Sequence, residues 1–232
     1  INGRSHCDFC GKKIAWYDLL PVLSFFILGG RTRCCRKKLS WQYPLVEVIT
    51  GLVFVFVLKT VFINNINKDS LLSLTRSVLT VSILSALIVI FVSDLKYHLI
   101  SDYILLTLFV FSFIFHLSNN GIMEQWSNFL ISALIVSFPI WLIYFISKER
   151  AMGLGDVYLS TIMGFLLGWQ AGFLALYIAF VTGAIFGIGL ILLKKRKLKS
   201  KVAFGPFLVI GTVSMLFWGE KIVEGIKKIY GF

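Results

Sequence analysis

From Val157 to Leu193 the chain runs for 37 residues without a charged side chain. An apolar run longer than about 18 residues reads as membrane-spanning. As one straight helix it would measure ~55 Å at 1.5 Å per residue, against ~30 Å of hydrocarbon in a bilayer. The run must therefore be broken. Gly168-Trp169-Gln170-Ala171-Gly172 supplies the turn and divides it into two spans.

The rest of the chain repeats the pattern in shorter units. Apolar stretches at 44–63, 77–93, 103–118, 126–147 and 203–219 bring the expected number of spans to about seven. The fold class is an all-α polytopic integral membrane protein. A composition of 58% hydrophobic residues agrees with this, since a soluble domain carries ~45–50%. The net charge of +12 is no sign of a nucleic-acid partner, because the basic residues fill the gaps between apolar runs. Residues 1–43 form a separate polar, cysteine-containing segment, and 44–232 form the membrane domain. Within the first, Leu19 to Leu28 is apolar but too short to cross a bilayer, so it is expected to lie on the membrane surface.

The same gaps orient the chain. One set of alternate segments (1–40, Lys96, Lys148 with Arg150, and the 194–201 run) carries 17 Lys and Arg. The other set carries six. Cytoplasmic loops hold the excess of positive charge, so the first set is assigned to the cytoplasm. The protein is placed in the cell (inner) membrane, in contact with lipid. The 194–201 run is read as a topology signal that touches anionic headgroups. This orientation uses basic residues alone, yet it brings Asp94, Asp102 and Asp156 to one face.

Asp156 stands at the lip of the longest apolar run, inside Gly153-Leu154-Gly155-Asp156. Asp94 ends another run, 62 positions earlier. Acids at such depth are costly and mark functional sites. Two adjacent carboxylates cannot both ionise, and a pair sharing one proton can activate water against a peptide bond. The competing reading makes both acids helix caps. It suits Asp156, which opens a run, better than Asp94, where an acid opposes the helix dipole. Asp102, after Ser101, reads most simply as an N-cap. Gly153 and Gly155 leave room for an extended substrate backbone. His98 reads as a solvated loop residue and His116 as an interface residue. Gly183, Gly187 and Gly189 read as a close helix contact.

The ordered set of motifs resembles the prepilin peptidase (type IV leader peptidase) family of GxGD membrane aspartyl proteases. Gly153-Leu154-Gly155-Asp156 is similar to the motif that names that group. Cys7-Asp8-Phe9-Cys10 resembles the first half of the family's cysteine motif. Leu20-Pro21-Val22-Leu23-Ser24, Gly30-Arg31 and the run from Leu39 to Glu47 resemble the stretches that follow it. Asp94 with Ile100-Ser101-Asp102 resembles the first-aspartate segment. The resemblance implies catalysis by Asp94 and Asp156, with Gly153, Gly155, Asp102 and Glu47 in the active-site region. The implied substrates are type IV prepilins or pseudopilins, cut after a short basic leader on the cytoplasmic side. It further implies methylation of the new N-terminus from S-adenosylmethionine. The family has eight membrane helices, so one more is expected before Ile1.

The chain departs from the pattern at two places. The second cysteine pair is displaced: Thr32 stands where a cysteine is expected, and Cys34 and Cys35 are adjacent. Cys7, Cys10, Cys34 and Cys35 are candidate zinc ligands, with free or redox-labile thiols as the alternative. Tyr158 stands where many relatives carry lysine. Glu47 is otherwise read as a residue snorkelling to the interface. Two other functions remain open from the residues alone. One is an ion- or proton-coupled transporter, which would show broken helices in both halves. The other is a methyltransferase with an inactive protease site.

Overall fold

A computed structural model describes residues 5–57, 59, 70–118, 126–149, 152–193 and 203–230. The chain divides into two compact units, Ile1–Thr60 and Val61–Phe232. Among the described residues the regular elements are helices, and the extended pairing is confined to two isolated bridges.

The first unit begins with two tight loops. One is closed by the antiparallel bridge His6 to Lys13, the other by Arg31 to Lys38. They are repeats of one another at an offset of 25 residues, visible in the two bridges. The Cys7 amide donates to the Lys12 carbonyl at 2.9 Å, and the Thr32 amide to the Lys37 carbonyl at 2.9 Å. Gly11 and Arg36 hold the same left-handed turn, with φ of 68° and 53°. Between the loops lie a 3-10 turn, Trp16–Leu19, and the short helix α1, Leu23–Ile27. Helix α2, Gln42–Val57, follows. The Ser40 hydroxyl accepts the Gln42 amide at 3.2 Å. Pro44 falls in the first turn, where a helix needs no amide donor. The expected span at 44–63 is thus described as far as Val57; its end lies outside the described residues.

The second unit is a helical bundle. Its elements are α3 (Ser70–Tyr97), α4 (Asp102–Leu117), α5 (Trp126–Ser147), α6 (Leu154–Leu192) and α7 (Gly205–Tyr230). Stretches in α3, α5 and α6 are long and apolar enough to cross a membrane. Gln42–Val57, Asp102–Leu117 and Gly205–Gly219 are shorter apolar helices. The 194–201 basic run lies outside the described residues.

Helix α6 is two helices. Gly168 interrupts it with φ 79° and ψ 172°, a backbone conformation open to glycine and strained for other residues. The expected five-residue turn is therefore compressed into one residue. The chain folds back there: a Cβ on Gly172 would lie 3.5 Å from the Gly164 Cα, whereas eight residues of straight helix would separate them by ~12 Å. Both glycines also pack on Val136 of α5. Gly211 of α7 comes so close to the Ala175 carbonyl that a side chain would overlap it. Backbone-to-backbone approach through small residues is how helices associate where lipid removes the hydrophobic drive. Of the three glycines expected to make a helix contact, Gly183 does so, against Phe207; Gly187 and Gly189 have open space around them among the described residues.

The reversal at Gly168 separates carbonyls near the end of the first half-helix from their usual i+4 amides. His116 of α4 meets one of them. Its Nε2–H donates to the Phe165 carbonyl at 3.0 Å, and its ring lies 4.0 Å from that of Phe129. His116 is thus a buried capping residue and not the interface residue its sequence position suggested. In a low-dielectric interior a polar side chain near an unpaired carbonyl gains by pairing with it.

Candidate active site

Asp94 and Asp156 are buried at 6% and 8% exposure, among the few buried charged side chains described. Asp94 sits in the last turn of α3. Beyond it the helix ends at His98, whose amide donates to the Asp94 carbonyl at 3.0 Å with φ 52°. His98 itself is exposed, as expected. Asp156 sits in the first turn of α6, three residues after Gly153 at the N-cap position.

Ile100, in the loop between α3 and α4, joins the two helix ends. A Cβ on Gly155 would lie 3.1 Å from the Ile100 Cβ. A Cβ on Gly205, the first residue of α7, would lie 3.3 Å from the Ile100 Cδ1 and 2.6 Å from the Asp94 Oδ2. The helix ends that carry the two acids therefore meet at one small apolar wedge. Gly205 is the residue that sequence reasoning missed. Its signal was Gly205-Pro206 at the head of the last apolar run.

The two carboxylates are satisfied differently. Asp156 Oδ2 accepts the Gly153 amide at 3.1 Å. This is one arm of a capping box; glycine has no side chain to return the other. Asp156 thus caps α6 from the third helical position. Asp94 Oδ2 is buried and faces the Gly205 backbone outside hydrogen-bond geometry, with no partner among the described residues. A buried unpaired carboxylate oxygen is costly and marks a place for a donor to enter.

Gly155 is occupied by its contact with Ile100. Among the described residues Gly153 is open beyond its own turn: a Cβ there would meet Asp156 Oδ2 and the Gly155 amide within 4 Å. Asp102 is exposed and is the first residue of α4; Ser101 takes the N-cap position that Asp102 was expected to fill. Tyr158 is 49% exposed.

In the first unit, Glu47 of α2 is no free interfacial acid. Its Oε2 accepts the Val22 amide at 2.7 Å. Val22 has φ 60°, a strained value for a β-branched residue, so Glu47 helps hold the bend after Pro21.

The four cysteines converge, with all Sγ atoms within 4.8 Å of one another. Cys7 and Cys35 are 3.9 Å apart, Cys34 and Cys35 3.9 Å, and Cys10 and Cys34 3.1 Å. Tetrahedral zinc at ~2.3 Å from each sulfur requires edges of ~3.8 Å. The adjacent Cys34 and Cys35 therefore meet the spacing. The loop repeat explains the displaced pair: Thr32 takes the place of Cys7, Cys35 that of Cys10, and Cys34 that of Phe9. The Thr32 hydroxyl is 3.1 Å from Cys35 Sγ. That bond leads the causes holding the Cys35 thiol below its ordinary value. The Phe9 amide draws Cys7 down to about 7, and bonding to Cys10 pushes Cys34 up to about 12.

These features define a class: a multi-pass helical membrane protein with two buried acids at helix ends and a separate thiol cluster. Comparison with known proteins is more specific. Residues 1–61 match the profile of the bacterial peptidase A24 N-terminal domain, and 81–188 that of the type IV leader peptidase family. The chain is 34% identical to the prepilin leader peptidase/N-methyltransferase of Aeromonas salmonicida (strain A449), across 95% of its own length and 73% of the relative's. It is 34% identical to the protein of that name from Pectobacterium carotovorum subsp. carotovorum, over 90% and 72% of the two chains. For the Pseudomonas putida protein the figures are 29%, 98% and 76%. No solved structure matches. The chain belongs to the type IV leader peptidase family.

Proposed function

We propose that the chain is a membrane aspartyl endopeptidase that removes the basic leader from type IV prepilins or pseudopilins, with Asp94 and Asp156 as its catalytic pair. The observation that carries this is the convergence of two buried acids around Ile100, one of them with an unpaired oxygen. Such a pair holds one proton between its members. The ionised member takes a proton from water, and the resulting hydroxide adds to the scissile carbonyl. The protonated member donates to the carbonyl oxygen. As the tetrahedral intermediate collapses, the C–N bond breaks and a proton passes to the leaving amine. Gly153 leaves room beside Asp156 for an extended backbone, and Asp102 offers exposed negative charge to a basic leader. The basic-residue bias supports a cytoplasmic active site, with 1–43 as the cytoplasmic segment and 44–232 as the membrane domain.

The relatives' names include N-methyltransferase, and we assign this chain the same second activity on the new N-terminus. A cavity of about 520 Å³ in the first unit, lined by Phe9, Tyr17, Asp18 and Glu47 among others, is of a size for S-adenosylmethionine. That group would supply the methyl cation. Zinc on Cys7, Cys10, Cys34 and Cys35 would cross-link the two loops with no coordination position left open.

The test is cleavage of a basic-leader prepilin in lipid by wild type, Asp94→Asn and Asp156→Asn, with folding followed by circular dichroism. The proposal expects both folded variants to lose cleavage by ~10²–10⁴-fold. Full activity in either would remove that residue from the mechanism.

A further inference from the structure

The first unit contains a second cavity, of about 630 Å³, that the peptidase and methyltransferase readings do not use. Its polar wall is Arg31 and Lys38, paired across an antiparallel bridge. Residues opposite each other on such a pair project to one side, and like charges there repel. Neither side chain has an acid beside it: among the described residues the ion pair is Arg33 with Asp18. The corresponding positions of the other loop hold His6 and Lys13, so the repeat does not require two strong cations here.

The remaining wall is Phe25, Phe26 and Trp41, with Leu39 and two glycines. Phe25 is buried beneath Gly30, where a Cβ would lie 3.1 Å from its ring. Trp41 stands 5.0 Å from Phe25 and 5.9 Å from Phe26, centroid to centroid. Phe26 and Trp41 are 60% and 66% exposed, and Ile27 of α1 is 75% exposed. Trp41 immediately precedes α2, whose sixteen residues are apolar apart from Gln42 and Glu47 and a few small or hydroxyl side chains. Tryptophan at the head of an apolar helix marks the headgroup level of a bilayer. The N-terminus of α2 adds its partial positive charge to the same place.

We propose that this cavity seats an anionic phospholipid, its phosphate between Arg31 and Lys38 and its upper acyl chain against Phe26 and Trp41. Two adjacent cations select a net-negative headgroup, while a zwitterionic one brings its own cation into the pair. The inference needs only that α2 enters a bilayer, and it stands whether or not the chain is a peptidase.

The experiment places the full chain in nanodiscs containing brominated phosphatidylglycerol or brominated phosphatidylcholine. It reads the quenching of Trp41, isolated as the difference between wild type and Trp41→Phe. Wild type is expected to prefer the brominated anionic lipid. In Arg31→Gln/Lys38→Gln that preference falls roughly fivefold per cation removed. It persists in the charge-retaining exchange Arg31→Lys/Lys38→Arg, and in Lys12→Gln/Lys13→Gln, which removes two cations elsewhere on the unit. Equal quenching by the two lipids in wild type would overturn the proposal. So would an undiminished preference in Arg31→Gln/Lys38→Gln, or an equal loss in Lys12→Gln/Lys13→Gln. An acidic protein segment in the cavity would give no lipid-dependent quenching, which would also refute it.

Discussion

The thiol cluster and the acid pair reach convergence by opposite routes. The cysteines are brought together by two short loops of one design, each closed by hydrogen bonds a few residues apart. The acids stand 62 positions apart and meet only because α3, α6 and α7 end at the same wedge, Ile100. A locally closed loop can shift a ligand and still deliver it, as Cys34 does in place of position 32. A site made by packing long helices has no such slack, because each helix end is fixed by contacts along its whole length. The loops should therefore tolerate relocation of a functional group, and the bundle should not tolerate even one added methyl.

The sharpest contrast is at Gly205. A side chain there would meet the Asp94 carboxylate at 2.6 Å. Gly205→Ala is expected to lower cleavage by ~10²-fold through displacement of Asp94, with thermal stability much less affected. Unchanged turnover would show that the bundle has slack after all. The matching test in the loops is metal content. Cys34→Ala is expected to weaken zinc binding by at least ~10-fold, and adding Thr32→Cys is expected to restore it at the position equivalent to Cys7. Failure to restore would mean that the repeat extends to the backbone but not to the ligands.

A smaller effect is expected at His116, near the C-terminal end of α4. His116→Leu leaves the Phe165 carbonyl unpaired beside the break at Gly168. It should destabilise the bundle by ~1–3 kcal/mol, measured by thermal or denaturant unfolding in detergent. His116→Gln keeps an N–H donor and should recover part of that loss. Equal stability of His116→Leu and wild type would show that the carbonyl finds another partner.

What could be read in the sequence follows the same division. Apolar runs and basic gaps specified the helices and their order, because length and charge act locally. The first two cysteines were legible from their spacing, and Thr32 was noticed as a substitution. The equivalence of 6–13 with 31–38 was not, because it lies in backbone hydrogen bonds and left-handed turns and not in residue identity. The basic-residue bias brought the two acids to one face, and the motif resemblance made them a catalytic pair. Gly205 escaped notice, and the roles of Ile100 and His116 were not read, because they arise from helices that meet only in three dimensions. His116 was misplaced for a specific reason: its partner carbonyl is exposed by a reversal 52 residues away at Gly168. Glu47 was read as an active-site residue by resemblance or as a snorkelling one, and its bond to the Val22 amide was missed, since nothing in the order of residues shows that Val22 adopts a positive φ.

The central claim is that Asp94 and Asp156 work as one unit. The direct measurement is a double-mutant cycle on prepilin cleavage, with Asp94→Asn, Asp156→Asn and the combined variant compared in the same lipid. Residues that share one proton fail together, so each single substitution is expected to cost about as much as both. Losses that multiply, each substitution contributing its own factor, would contradict a shared site and return the acids to separate roles as helix-end residues.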